Sequence, residues 1–479
     1  MKSLIGDKKF YRMVLIVCIP IVIQNGFTNL ASLLDNIMIG QLGTLSMSGV
    51  SISNQLFQVF NVSVFGAMSG AGIFLAQFYG RGNRDGVHNC FRIKMLLCIL
   101  ISMLAICIFK LLGPSLISLY LNDDPTDSMT TLSFGKQYMD VMLIGLIPFA
   151  ITQVYSSSLR ETGNTVLPMK ASVIAVIINF CINYILIFGH FGFPKLGVIG
   201  AAIGTVVSRI VEMGINIAAG LNNNYLRDAM RLYKISGDIF KNVVKRGMPL
   251  LCNEILWSIS IALISQCYST RGLFAVAAIN VTTTVTNFFM IICYAMGNSI
   301  SIIVGQRLGA GEIEYAKDYD LKMVFMNFMM CLGIGVALFG CSSFIPQIYN
   351  TSIEVKSLAT SLLRVSACML PIISLYYSSY FTMRAGGKTL LTFFFDSGYT
   401  FIFTFMVALC LTRFTNLPIF NVYLLVQCVD IPKAVLGITL VKKEYGYIIL
   451  SMNFSLLFRR LFLLEGKKKK SFRTLFEKW

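Results

Sequence analysis

The feature that most constrains this fold is an internal repeat of small and polar residues at an offset of about 229 positions. It pairs Pro20 with Pro249, Gly43 with Gly272, Gln77 with Gln306, Gly80 with Gly309, and Gly82 with Gly311. Further along, the offset falls by about five, so that residues 159–165 align with residues 383–389. A period of this length indicates one structural module that is encoded twice.

Long apolar runs separate these landmarks. Of the 479 residues, 56% are hydrophobic and only 13% are charged, which is far from the composition of a soluble protein. A helix needs only about 18 apolar residues to cross a bilayer core of about 30 Å. Twelve such runs lie near residues 13–39, 50–79, 92–113, 137–158, 166–189, 196–220, 247–268, 274–305, 320–341, 358–382, 390–411 and 418–440. The sequence therefore predicts an all-α polytopic membrane protein with twelve transmembrane helices.

The formal net charge of +18 is unevenly distributed among the loops between the spans. Basic residues concentrate in alternate loops, at 2–12, 81–94, 160–170, 227–246 and 307–322. The intervening loops hold few of them, and one is acidic. Because an excess of Lys and Arg marks cytoplasmic loops, both termini are predicted to lie in the cytosol. This topology explains the charge without a nucleic-acid partner, and we expect none.

Each copy of the module contains six spans, so both copies begin and end on the same side of the membrane. They are therefore predicted to be parallel repeats, a first lobe at 1–220 and a second at 247–441, joined by a cytosolic linker at 221–246. In the tail at 442–479, basic clusters flank an apolar stretch at 447–464, and crossing would leave one cluster outside. We expect this tail to be a basic amphipathic segment that contacts lipids of the inner leaflet.

Enzymatic and metal chemistry lack their usual signatures. The thirteen cysteines form no Cys-x-x-Cys pair and are accompanied by only two histidines, so neither a zinc site nor a redox site is expected. The segment 386–389 resembles the end of a phosphate-binding loop, but no strand precedes it and its repeat counterpart lacks the lysine. We therefore expect that the protein is not an enzyme and binds no cofactor. We also expect that any transport it performs is driven by an ion gradient.

Asp35 is the clearest functional candidate, because an ionisable residue within a span is costly. Its repeat counterpart is Ile264, so the scaffold itself does not require an acid at this position. The structural alternative is a carboxylate near the outer end of its helix that reaches interfacial water.

Four further residues complete a candidate cation site. Asn179 and Asn183 lie at i and i+4 on one helical face, and Ala201 and Thr205 repeat this spacing on the next span. Together with Asp35 they offer a carboxylate, two amide oxygens, a hydroxyl and a backbone carbonyl, the all-oxygen set that a hard cation such as Na⁺ needs. Alternatively, the asparagine pair only holds two helices together.

The second copy contains two mid-span acids. Glu254 lies opposite Asn25 of the first copy, and Asp396 lies about one turn inside the eleventh span. Either acid could face a central cavity, where it would attract a cationic solute or carry a proton. Either could equally pair with an Arg or Lys at the cytosolic rim.

The chain resembles the multidrug and toxic compound extrusion (MATE) family of bacterial antiporters. The residues that carry the resemblance lie at 35–40, 77–82, 159–165, 179–189 and 193–202. The resemblance implies two six-helix lobes around a central cavity that alternates between inward-open and outward-open states. It also implies a Na⁺ or H⁺ site in the first lobe, whose acid, asparagine pair and threonine match Asp35, Asn179, Asn183 and Thr205.

The sequence and the resemblance together predict an antiporter that acts as a monomer. It would export organic compounds, cationic or amphipathic, in exchange for Na⁺ or H⁺, with Tyr376 among the candidate cavity walls. The related alternative is a flippase for lipid-linked saccharides, but such flippases usually line the cavity with several cationic residues, whereas the mid-span charges noted above are acids. A membrane sensor that does not transport is disfavoured by the repeat and the buried acid.

Overall fold

The computed structural model describes residues 4–121, 125–230, 235–349 and 351–443. Within these residues, twelve helices are long and apolar enough to cross a membrane, as the sequence predicts. They are α1 Lys8–Gly40, α2 Thr44–Gly80, α3 Arg84–Ser118, α4 Thr126–Glu161, α5 Val166–Phe188, α6 Val198–Leu221, α7 Gly237–Ser269, α8 Leu273–Gly309, α9 Ile313–Cys341, α10 Ile353–Ala385, α11 Thr389–Phe414 and α12 Ile419–Lys442. The tail segment at 447–464 lies outside the described residues, so its position stays a prediction.

Several helices extend beyond their apolar runs. One of them is α7, which begins at Gly237, inside the stretch 221–246 that the sequence predicted as linker. Its first three turns mix apolar residues with Lys241, Lys245 and Arg246. Lys and Arg are good helix formers, so the helix continues where hydropathy falls. The start of α1 is capped by Asp7, whose carboxylate accepts a hydrogen bond from the Phe10 amide at 2.8 Å.

Three of the spanning helices are irregular inside. A 3₁₀ turn at Leu143–Gly145 interrupts α4, and two π-helical stretches, Phe394–Gly398 and Thr400–Phe405, interrupt α11. In α12, the helices Ile419–Cys428 and Asp430–Lys442 meet at Val429, a turn residue whose backbone angles are still those of a right-handed helix. Single-turn π segments often occur at functional sites, and the first one here contains Asp396.

The repeat recognised in the sequence is reproduced in the backbone. Gly43 and Gly272 have φ angles of 111° and 98°, and the glycines at 82 and 311 have φ angles of 74° and 80°. These conformations are strained for residues that carry a Cβ atom, so glycine is required at each turn. The two copies therefore turn in the same way at corresponding positions.

Thr165, from one of the repeated segments, compensates for a proline in α1. Pro20 has no amide hydrogen, so the carbonyl of Ile16 loses its partner within the helix. The hydroxyl of Thr165 donates a hydrogen bond to this carbonyl at 3.0 Å. The turn before α5 is thereby attached to the third turn of α1.

The two repeats pack tightly where α2 and α8 end. A Cβ atom added to Gly80 would lie 1.9 Å from the carbonyl oxygen of Gln306, and one added to Gly309 would lie 1.9 Å from that of Gln77. The two contacts are related by the repeat. We call this end of the bundle, where α1 also begins, the basic end, because the basic loops lie there.

Reciprocal hydrogen bonds secure the same contact. The Gln77 amide donates to the carbonyl of Ala385 at 3.1 Å, and the Gln306 amide donates to the carbonyl of Glu161 at 2.8 Å. Ala385 and Glu161 are themselves repeat counterparts. The two copies therefore close the basic end with an almost symmetric set of contacts.

Candidate functional site

A cavity of about 520 Å³ lies within the first repeat. Residues of α1, α2, α4, α5 and α6 form its wall, and most of them are polar. Asp35, Asn179 and Thr205 are among these wall residues. The cavity therefore brings polar groups from separate helices to one space within the apolar bundle.

The structure joins all five predicted cation-site residues in one hydrogen-bonded cluster. The Asn183 amide donates to Oδ1 of Asp35 at 2.6 Å and to Oδ1 of Asn179 at 3.3 Å. The Asn179 amide in turn donates to Oγ1 of Thr205 at 3.3 Å, and Thr205 donates to the carbonyl of Ala201 at 3.1 Å. Three helices, α1, α5 and α6, converge here, although Asp35 is about 145 residues distant from the asparagine pair in sequence.

The cluster contains one orphaned acceptor. Oδ1 of the fully buried Asn183 has no hydrogen-bond partner in the described part of the chain. It points at α6, where a Cβ atom on residue 204 would lie only 2.1 Å away, so Gly204 is required for this close approach. An unsatisfied buried acceptor costs about 1–3 kcal/mol. This cost and the oxygen-rich donor set fit a site that accepts a hard cation or a proton, with the Asn183 amide turned to present its oxygen.

Two charged residues near this cluster were missed at the sequence level. Arg209 and Glu212 on α6 line the same cavity as Asp35. The guanidinium of Arg209 lies 4.9 Å from the ring centroid of Phe149, and its Nη1 atom has no hydrogen-bond partner in the described residues. Both residues interrupt an apolar run, so the rule that identified Asp35 would also have identified them.

Glu212 begins a chain of hydrogen bonds that leads out of the first cavity. Its carboxylate accepts from Ser172 at 2.5 Å, and Ser172 accepts from the Gln24 amide at 2.9 Å. The side-chain oxygen of Gln24 accepts from Arg160 at 3.2 Å. Arg160 lines a second cavity, between the two repeats, so polar contacts link the two cavities.

In the second repeat, Asp396 is paired within the bundle. Its carboxylate lies 3.0 Å from the ammonium of Lys433 on α12 and accepts a hydrogen bond from Asn253 at 3.1 Å. Lys433 is only 2% exposed, and its ammonium lies 4.5 Å from the ring centroid of Tyr376. Of the two sequence-level alternatives, pairing with a base is therefore the one observed, and the base is a mid-span lysine that the sequence reasoning missed.

The two remaining candidates, Glu254 and Asn25, do not form a site together. Glu254 accepts a hydrogen bond from the hydroxyl of Tyr380 at 3.2 Å. Asn25 is half-buried on α1, and it is the neighbouring Gln24 whose side chain lines the cavity of the first repeat. Within the described residues, no three His, Cys, Asp or Glu side chains are grouped so that they could hold a metal ion.

Known proteins match the chain in both sequence and fold. The MatE family model matches residues 20–185 and 249–410. The protein named "Probable multidrug resistance protein NorM" of Thermotoga maritima is 26% identical over 375 residues, which are 78% of this chain and 79% of that protein. "Probable multidrug resistance protein YoeA" of Bacillus subtilis is 23% identical over 399 residues, which are 79% of this chain and 82% of that protein.

A solved structure gives the same result for the fold. The outward-facing conformation of a multidrug resistance MATE family transporter of the MOP superfamily superposes with a TM-score of 0.83. The match covers 92% of this chain and 97% of the other at 19% identity. At this identity the likeness establishes the shared fold.

Proposed function

Because this chain belongs to the MatE family, whose relatives include multidrug resistance transporters, we propose that it is a secondary active antiporter. It exports organic compounds across a bacterial cytoplasmic membrane in exchange for Na⁺ or H⁺. Both termini lie in the cytosol, in accord with the basic loops. Its work is transport, not chemical conversion.

The observation that carries this proposal is the cluster around Asp35. An acid, two buried amides, a hydroxyl and a backbone carbonyl meet in one hydrogen-bonded cluster at the wall of the cavity in the first repeat. A carboxylate that is largely removed from water gains from binding a cation or a proton. The site can therefore take up the coupling ion and release it when the surroundings of Asp35 change.

Coupling requires that the ion favour one arrangement of the repeats over another. An ion can shift that equilibrium only by its difference in affinity for the two states. The contacts at Gly80 and Gly309 close the basic end, so in this state the ion reaches Asp35 from the opposite side. With the basic end in the cytosol, the coupling ion enters from outside and cargo leaves in the other direction.

The cargo is an organic compound that is cationic or amphipathic. Glu254 is a charge in the second repeat that could favour cations. The flippase alternative requires cationic residues in the cavity, and Arg160 and Arg384 do line the cavity between the repeats. That observation keeps lipid-linked anions as a second candidate cargo.

The test is transport in proteoliposomes with Na⁺ and H⁺ gradients imposed separately. We expect one of the two gradients to drive efflux of a cationic dye by the unmodified protein. Asp35→Asn should lower the rate by about tenfold or more, because losing the ion site removes the driving force. The matched control is Asp140→Asn, which changes an exposed acid that pairs with Lys110 at 2.9 Å.

Both variants must be folded and inserted in the membrane, which monodisperse elution in detergent would show. Efflux by Asp35→Asn at the unmodified rate would contradict the proposed ion site. Movement of a fluorescent lipid-linked saccharide in place of the dye would instead support the flippase alternative.

A further inference from the structure

A second cavity, of about 80 Å³, lies between the two repeats. Residues of both repeats line it in corresponding pairs, which are Ser69 with Asn298, Gly72 with Ser301, and Ile73 with Ile302. Because repeat counterparts face the same space from opposite sides, this inter-repeat cavity lies on the axis that relates the repeats. It is therefore a shared feature of the two lobes.

Two arginines reach this inter-repeat cavity from opposite sides. Arg160 at the end of α4 and Arg384 at the end of α10 are repeat counterparts, and both line it. Arg384 is only 8% exposed, its Nη2 atom donates to Oγ of Ser69 at 2.6 Å, and its Nη1 atom has no hydrogen-bond partner among the described residues. Two arginine side chains, one from each repeat, therefore line one small space.

The nearby acids are already engaged with other groups. Glu161 also lines the inter-repeat cavity, but its carboxylate lies 2.5 Å from the ammonium of the fully buried Lys94. Glu254 accepts its hydrogen bond from Tyr380 and interacts with Arg384 only at longer range. Over the described ranges, no carboxylate lies within 4.0 Å of either cavity arginine.

Each guanidinium has partial compensation: Arg160 donates to Gln24, and that of Arg384 lies 5.1 Å and 5.6 Å from the ring centroids of Phe65 and Phe381. Neither has a carboxylate at ion-pair distance among the described residues, so the two positive charges need an explanation. Arginine keeps its charge in proteins, so it cannot escape the cost of burial by losing a proton. A buried charge without a partner is strongly unfavourable unless an opposite charge or several hydrogen bonds compensate it. The paired forks of two guanidinium groups match the geometry of carboxylate and phosphate oxygens.

We infer that the inter-repeat cavity binds the anionic group of an amphipathic compound, a carboxylate or a phosphate, between Arg160 and Arg384. Its volume admits such a group, whereas whole drug-sized molecules occupy pockets of about 300–1,000 Å³. Apolar neighbours, Phe65 and Met68 among them, suit the apolar part that adjoins the charged group. As a statement about the cargo, this inference rests on the proposed transport function.

The experiment measures equilibrium binding without any gradient. The purified full-length protein in dodecyl maltoside, which carries no phosphate, is titrated with dansyl-phenylalanine and, separately, with its neutral carboxamide. We expect the carboxylate to bind about tenfold or more tightly than the carboxamide, because only the carboxylate can form bidentate bonds with arginine. Equal affinity for the two probes would overturn the inference.

Variants locate the binding. Arg160→Gln and Arg384→Gln should each weaken carboxylate binding by about tenfold and leave carboxamide binding unchanged. Arg384→Lys keeps the positive charge but cannot form bidentate bonds, and it replaces Arg384→Gln if that variant does not fold. It should weaken carboxylate binding less than Arg384→Gln does. Arg413→Gln, an exposed residue at the opposite end, is the matched control for net charge. Carboxylate binding that is unchanged in Arg160→Gln and in either Arg384 variant would also overturn the inference.

Competition identifies the source of the anionic group. Displacement of the probe by dioctanoyl phosphatidic acid at lower concentration than by N-acetylphenylalanine supports a lipid phosphate, and the reverse order supports a soluble carboxylate. The readout is independent of the proposed function. Specific binding without gradient-driven transport would refute the antiporter and leave this cavity site intact, whereas transport without carboxylate preference would refute the site alone.

Discussion

At the scale of single residues, this protein places polar side chains in pairs inside an apolar bundle. The Asn183 amide satisfies both Asp35 and Asn179, and the Lys433 ammonium satisfies Asp396. Polar groups at this depth are costly, so each arrangement persists only because its members meet. The two clusters differ in how their polar groups are satisfied. In the second repeat the Lys433 ammonium pairs with the acid, whereas in the first repeat Oδ1 of Asn183 has no hydrogen-bond partner among the described residues.

This difference predicts which variants alter ion coupling. Asn179→Ala and Thr205→Ala should each weaken the dependence of transport on the coupling ion by about tenfold, because each removes an oxygen ligand. Glu254→Gln should instead reduce transport of cationic cargo relative to neutral cargo, because it removes a charge from the second repeat. The measurement is ion dependence and cargo preference for all three variants in one vesicle assay.

Asn327→Ala is a suitable control, since Asn327 is a buried asparagine of the second repeat whose amide donates to Ser378 at 2.9 Å. It should lower stability without changing ion dependence. If Glu254→Gln shifts ion dependence while Asn179→Ala does not, the coupling site belongs to the second repeat.

The buried pair of Asp396 and Lys433 leads to a second prediction at the residue scale, which concerns stability. Asp396→Asn alone should lower the free energy of unfolding by about 3–5 kcal/mol, because it leaves the Lys433 ammonium buried without a countercharge. The double variant Asp396→Asn/Lys433→Met should recover most of this loss. Thermal unfolding in detergent measures both effects.

The control for this cycle is the exposed pair of Lys110 and Asp140. Lys110→Met should change stability by less than about 1 kcal/mol, since solvent screens the exposed pair. A double variant as unstable as Asp396→Asn would show that packing at position 396, and not charge, determines the loss.

At the scale of helices, the closest contact is made by the ends of α2 and α8. The backbones approach so closely that no residue with a Cβ atom fits at positions 80 and 309, which leaves only glycine. Gln77 and Gln306 then reach the ends of α10 and α4, so four helices meet at one point. Alternation between states would have to break this contact, which makes it the inner gate of the proposed transporter.

Gly80→Ala and Gly309→Ala should therefore each destabilise this closed state by about 1–3 kcal/mol, the usual cost of overpacking. Gly333→Ala is the control, because a Cβ atom there meets nothing within 4 Å, and it should stabilise α9 by about 0.5–1 kcal/mol. Unfolding temperatures of the three variants in detergent provide the measurement. A loss in Gly333→Ala as large as in the other two would mean that the close contact is not the cause.

At the scale of the whole molecule, two copies of one module have acquired different interiors. The glycine turns, the proline pair Pro20 and Pro249, and the gate residues are shared, while among the described residues the oxygen cluster is found in the first repeat. The counterpart of Asp35, Ile264, is 7% exposed in an apolar cluster. Division into lobes at 1–220 and 247–441 remains our prediction for the units that move.

The prediction at the scale of the whole molecule concerns the side of the membrane on which the C-terminal tail lies. The basic loops predict that both termini lie in the cytosol, and the tail from 442 is expected to lie on the inner leaflet without crossing it. A cysteine introduced after Lys470, in a background whose native exposed cysteines are replaced by serine, should react with an impermeant reagent only from the cytosolic side. Labelling from outside intact cells would show that the tail crosses the membrane.

The sequence by itself determined the class, the number of spans and the repeat. These properties follow from apolar runs of bilayer length and from small residues at fixed offsets, which act locally along the chain. It also indicated Asp35, Asn179, Asn183 and Thr205 as a set, because each has a side-chain oxygen in an apolar span, together with the backbone carbonyl of Ala201, four residues before Thr205.

Only the tertiary structure decided which charges meet. Nothing local shows that Lys433 neutralises Asp396, that Arg160 and Arg384 share one cavity, or that Gly80 touches Gln306. Such pairings depend on how helices that are far apart in sequence cross, and a side chain's partner across the bundle leaves no periodic signal in its own helix. The energy of a buried charge depends on that partner, so the roles of these residues follow from the packing of the two repeats.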